Sequence, residues 1–293
     1  MKKLFGFLGI CTALVLATAS FAWAQSYTTV DFPGAVFTSL NGGPNPQGTA
    51  VGSEGDTSGL FHGFTWTAGV FKTFDPPGSI LTTPNYISPQ GTIVGQYLDA
   101  SSVSHGFVLK SGSYTIFDYP GAAGTALTGI NPSGIMTGFY CSDPACGSLG
   151  SASTNHSFIV SAGGTITTFD PPGAVSSQAS TINPSGTIVG AYVDGGGTSH
   201  GYQLYQGKFT TQDFPGSIFT FNGGNNSLGQ IAGVYRDSAG VFHSFLLSQG
   251  VYTSFDPPGA AGFSDAAGIN PDGVIVGLYA DASGVFHGFV RTP

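Results

Sequence analysis

Basic side chains are the scarcest chemistry in this sequence. Seven Lys and Arg stand against fifteen Asp and Glu in 293 residues, and glutamate occurs once, at Glu54. That scarcity excludes nucleic acid as a partner, because phosphate binding needs clustered cations. Helix formers are also few, and no stretch carries the apolar period of an amphipathic helix. No nucleophile elbow, Gly-rich phosphate loop or His pair at metal-ligand spacing is present. No catalytic residue is therefore assigned, and no metal or other cofactor is expected.

The one long apolar run lies at the start. Residues 1–24, "MKKLFGFLGICTALVLATASFAWA", place two lysines before an uncharged stretch that ends in small residues. The run from Leu4 to about Ala17 is shorter than the roughly 20 residues of a membrane span, so it is expected to be a signal peptide cleaved before Gln25. Ile10 before Cys11 argues against a lipoprotein. The mature chain is thus expected to be secreted, extracellular and without a membrane span. It keeps fifteen acidic and five basic residues. In that oxidising compartment Cys141 and Cys146 of "CSDPAC" are expected to form a disulfide.

What is abundant is glycine, with 47 residues, alongside 18 prolines and many Ser and Thr. That composition favours short strands joined by tight turns. An aromatic-Asp-Pro-Gly landmark recurs as "VDFPGA", "FDPPGS", "FDYPGA", "FDPPGA", "QDFPGS" and "FDPPGA", with glycines at 34, 78, 121, 173, 216 and 259. An Asn-Pro-X-Gly turn and a His-small-aromatic triplet keep the same beat of about 43 residues, and the triplet uses all six histidines. Six copies therefore begin near residues 31, 75, 118, 170, 213 and 256 of one domain covering 25–293. Each reads as four strands: one after the Pro-Gly turn, then segments like "GTIVGQYLD", "HGFVLKSG" and "SYTIFD". This is the blade length of a β-propeller. The sixth copy ends without its fourth strand, and "SYTTVDFPG" at the mature start supplies it. The expected fold is thus an all-β, six-bladed β-propeller of four-stranded blades, its ring closed by the N-terminal strand.

The runs "HGFVLKSGSYTIFDYPG" and "HGFTWTAGVFKTFDPPG" resemble the extracellular HAF-type repeat proteins, and the resemblance extends over about residues 26–293. It implies an exported repeat domain and transfers no catalytic residue.

In five copies an Asp stands six positions before the histidine: Asp56 and His62, Asp99 and His105, Asp194 and His200, Asp237 and His243, Asp281 and His287. The landmark adds a loop Asp per copy, and strand order puts both sets of Asp with the histidines on one face. Such pairs can serve as acid-base partners. Six copies of the same pair suit a scaffold better, with Asp accepting hydrogen bonds from turn N–H groups and from the imidazole. Calcium is the one ion these loops suggest, but it usually wants several carboxylates in one loop, and here each loop has one.

The copies also differ. Copy 1 has Glu54 where the others have tyrosine, and copy 3 is about nine residues longer, with Ser142 at the Asp position and Asp143 displaced by one. Glu54, Ser142, Asp143 and Asn155 are therefore the candidate ligand contacts. The reading is a non-enzymatic, monomeric binding or structural module for extracellular carbohydrate or another cell-surface polymer. The alternatives are a propeller hydrolase or lyase acting on polysaccharide, with Glu54 and a loop Asp as its acid-base pair, and a protein-interaction scaffold.

Overall fold

The computed structural model of the chain describes residues 25–143 and 154–293. The leader expected over 1–24 and the cysteine at 146 lie outside the described residues. Among those described there are 24 strands and no helix, so the chain is all-β.

Copy 2 shows how the sequence makes them. Gly78 takes a φ of +82°, which a side chain would resist, and the turn closes with Ser79 N–H donating to the Pro76 carbonyl at 3.2 Å. Ser79–Ile87, Ile93–Asp99, Ser104–Lys110 and Ser113–Phe117 then pair antiparallel in that order. The other copies repeat this order. In copy 6 the third strand, Phe286–Thr292, takes Ser26–Val30 as its outer neighbour, with Ser26 opposite Thr292 and Val30 opposite Gly288. The first strands lie beside one another in sequence: Phe37–Gly42 beside Ser79–Ile87, and so on to Ser264–Ile269, which lies beside Phe37–Gly42.

The core of each copy is a glycine under an aromatic ring. Gly95 on the second strand stands directly opposite Phe107 on the third. A Cβ on Gly95 would overlap the Thr83 carbonyl oxygen and sit 2.8 Å from the Phe107 ring. The same pairing recurs as Gly52 with Phe64, Gly138 with Phe158, Gly190 with Tyr202, Gly233 with Phe245 and Gly277 with Phe289. All six rings are among the most completely buried large side chains.

The first strands share a second device. Each carries a one-residue register shift near its end, passing over Asn41, Asn85, Thr128, Ser180, Gly223 and Ala267 in turn. A bulge leaves its extra residue unpaired and turns it away from the ladder.

Gly95→Ala should therefore destabilise the chain by about 2 kcal/mol or more, since backbone as well as ring must move. Gly195→Ala, where a Cβ meets nothing within 4 Å, should leave the urea midpoint unchanged. Equal midpoints for the two variants would show that the glycine is not needed to seat the ring.

Candidate functional site

Two places gather polar side chains from several copies. The first is the Asp-His array. His105 sets Nδ1 2.8 Å from Asp118 of the following landmark and Nε2 3.6 Å from Asp99. An ionised carboxylate only accepts, so Nδ1–H is the donor to Asp118. Asp99 Oδ1 in turn accepts from the N–H groups of Ser101 at 2.8 Å and Val103 at 2.9 Å, leaving Oδ2 toward the imidazole. This is an Asx turn, and its carboxylate tethers the turn to the third strand. Tyr97 stacks on His105 with ring centroids 5.1 Å apart.

Every copy repeats the inner contact, with Nδ1 2.7–2.8 Å from Asp75, Asp118, Asp170, Asp213, Asp256 or Asp31. The outer contact, 3.4–3.8 Å from Nε2, joins His62 to Asp56, His105 to Asp99, His200 to Asp194, His243 to Asp237 and His287 to Asp281. The five pairs read from the sequence are thus all brought together. The histidine side chains keep 20–33% of their surface exposed, so the array lies at the rim and not in the core.

The residues singled out where copies differ divide. Ser142 and Asp143 are exposed. Glu54 is 6% exposed, lies within Thr49–Gly55 and stands opposite His62; Asn155 is 4% exposed and opens Asn155–Val160. These two are thus buried strand residues. Among the described residues no group of three or more His, Cys, Asp or Glu is arranged to hold a metal ion.

The second place was not foreseen from sequence. The six bulge residues converge on a cavity of about 260 Å³ that also takes in Thr83, Gln96, Phe139, Gln178, Phe221 and Asp265. At the bulge itself copies 1 to 4 place Asn41, Asn85, Thr128 and Ser180, whereas copies 5 and 6 place Gly223 and Ala267. Gln96 Oε1, Thr128 Oγ1, Ser180 Oγ and Asp265 Oδ1 are shielded from solvent and have no hydrogen-bond partner. Aligning the copies at their Asn-Pro turns would have exposed the signal, because five residues before Asn270 stands Asp265, where copies 2 to 5 carry Thr83, Ala126, Gln178 and Phe221.

No family model matches the sequence, and no curated protein matches it. Solved structures do resemble the chain. The fungal lectin from Aleuria aurantia, described as having a six-bladed β-propeller fold and a novel fucose recognition mode, aligns at TM-score 0.54 and 12% identity, over 90% of this chain and 93% of its own. AofleA from Arthrobotrys oligospora aligns at TM-score 0.55 and 12% identity, over 91% and 86%. XC5397 from Xanthomonas campestris, described as a gluconolactonase, gives 0.55 and 11%, over 88% and 87%. At such identities the likeness is one of fold, and the fold is a β-propeller.

The electrostatics give a pH signature. Hydrogen bonds to Asp75 and Asp213 are the largest cause that raises His62 and His200 above their ordinary 6.5. A raised histidine contributes stability that is full below 6.5 and lost as pH rises through the raised value. The backbone N–H groups of Val103, Thr198 and Val241 chiefly lower Asp99, Asp194 and Asp237 below 3.8. Their contribution is present above 3.8 and lost as pH falls through the lowered values. Burial pushes Asp265 up to about 6, so stability is lost as pH rises from its ordinary 3.8 to that value. Urea midpoints measured across the pH range should peak near about 4 and decline on both sides. A midpoint that climbs steadily from pH 6 to 8 would contradict this assignment.

Proposed function

We propose that this chain is a secreted, monomeric, six-bladed β-propeller that binds extracellular carbohydrate or another cell-surface polymer and does not transform it. Each copy is taken as one four-stranded blade, with Ser26–Val30 completing the sixth and closing the ring. The register of Ser26–Val30 on Phe286–Thr292 and the cyclic adjacency of the first strands support that reading. Export rests on the leader-like residues 1–24, and the repeat motifs support kinship with the HAF-type repeat proteins. We also infer that Cys141, which is 2% exposed, pairs with Cys146.

The observation that carries the non-enzymatic reading is that, in five copies alike, both imidazole nitrogens face carboxylates. A general base must present an accessible ring nitrogen to its substrate, and in these copies Nε2 is turned toward the turn carboxylate at 3.4–3.8 Å. Five equivalent latches serve a scaffold, whereas chemistry needs one site. Carbohydrate is favoured among ligands because the recesses are lined by neutral polar and aromatic groups. One such cleft, of about 190 Å³, sets Tyr192 and Phe209 beside Pro171, Pro172 and Thr211. A lectin with the same fold is in keeping with that class.

Two experiments test this reading. A screen of the chain from residue 25 onward against glycans and polysaccharides, with reducing-sugar release followed in parallel, should give saturable binding without product; turnover would overturn the proposal. Deleting residues 25–33 should strip the sixth blade of its outer strand and lower the melting temperature by roughly 5 °C or more. An unchanged melting temperature would refute ring closure by this strand.

A further inference from the structure

The cavity where the first strands converge is acceptor-rich and carries a single formal charge. Asn41 spends its Nδ2 on the Pro84 carbonyl at 3.1 Å, and Asn85 spends its own on the Leu127 carbonyl at 2.9 Å. Each amide donor thus ties one copy to the next, and the oxygens are the ends left for a ligand. To these are added Gln96 Oε1, the hydroxyls of Thr128 and Ser180, and Asp265 Oδ1, all without partners. Thr128 and Ser180 are each 8% exposed, so these are orphaned groups on a built wall, not surface hydroxyls. Among the described residues no Lys, Arg or His lines the cavity to balance Asp265. A carboxylate with one oxygen shielded and unpaired is costly to ionise, and a bound cation would offset that cost.

The wall is asymmetric in a way that makes room. Gly223 and Ala267 stand where copies 1 to 4 project longer polar groups, so space opens on the side that bears Asp265. Phe139 and Phe221 supply apolar ring surface. The volume, about 260 Å³, exceeds what a bare ion needs and falls below the range of drug-sized sites.

From this geometry we infer that the cavity is a binding site for one small, donor-rich cation, an ammonium-bearing polyol of the amino-sugar class, with its ammonium on Asp265 and its hydroxyls on Gln96, Thr128, Ser180 and the Asn41 and Asn85 oxygens. The inference deepens the carbohydrate reading and rests on it for the ligand class. It assigns the axial cavity, and not the variable rim loops, as the place where a terminal sugar is held. A neutral hexose lacks the charge that Asp265 calls for, and an N-acetylated one replaces the ammonium by a bulkier neutral amide.

The test uses the chain from residue 25 onward at neutral pH, with glucosamine, glucose and N-acetylglucosamine as probes in titration calorimetry. Glucosamine should bind roughly tenfold or more tightly than either neutral sugar, and Asp265→Asn should abolish that preference. Because Asp265→Asn removes an uncompensated charge, its melting temperature should equal or exceed that of the parent. Gln96→Leu, which keeps the charge and removes one acceptor, is the second variant and should weaken glucosamine binding severalfold. Equal affinity for glucosamine and glucose, undiminished glucosamine binding by Asp265→Asn, or the same Asp265-dependent heat from potassium or calcium chloride alone would each overturn the assignment. The polysaccharide screen separates the two claims. Polymer binding without glucosamine binding removes the axial site and leaves the carbohydrate reading standing, whereas glucosamine binding with no polymer bound keeps the site and overturns the polymer part of that reading.

Discussion

A glycine lying under an aromatic ring is the contact on which the rest of the architecture depends. In each copy the second strand gives up a side chain so that the ring of the third strand can lie flat against its backbone, as Phe107 does over Gly95. No larger residue fits, because the first-strand carbonyl closes the space from the other side. The ring therefore fixes three strands at once. Beyond that stack each first strand leaves its regular ladder, and the bulge falls at the corresponding place in all six copies. The bulges in turn aim one residue per copy at the same cavity.

At the rim the Asp-His array does a different job. The turn carboxylate, the imidazole and the landmark carboxylate connect the second-to-third-strand turn, the third strand and the connection to the next copy. Tyrosine stacking supports the imidazole from the side in copies 2, 4, 5 and 6, at centroid separations of 5.1–5.2 Å. Copy 1 places Glu54 in that position, and in copy 3 Tyr140 meets His156 at 5.4 Å with its ring tilted. The array is a set of partly exposed latches, each modest alone, and their value lies in holding the loops of that face in one shape.

Much of this was legible in the residues. The segment "GTIVGQYLD" reads as a strand and is one over Ile93–Asp99; the six-residue spacing of Asp99 and His105 reads as a pair, and the pair forms. Such features depend on local period and on turn chemistry, which repeat visibly. The seating of the aromatic ring was hidden because it depends on which third-strand residue stands opposite Gly95, a matter of register. The cavity was hidden for a related reason: a bulge breaks the two-residue alternation, so the pattern assigns Thr128 or Ser180 to no face. Asp265 belongs to neither repeated Asp landmark, and its role emerges only when the first strands are set side by side. Glu54 and Asn155 were singled out because they differ between copies, but difference in sequence does not report exposure.

The central claim is that the histidines form one repeated framework and not a catalytic centre. Long-range proton-nitrogen spectra of the chain labelled at its histidine rings test it most directly, since they report which ring nitrogen carries hydrogen. The account predicts that all six imidazoles keep a hydrogen-bonded proton on Nδ1, where each meets its landmark Asp at 2.7–2.8 Å. One histidine with a bare Nδ1, set apart from the other five, would break the repeated framework and contradict it.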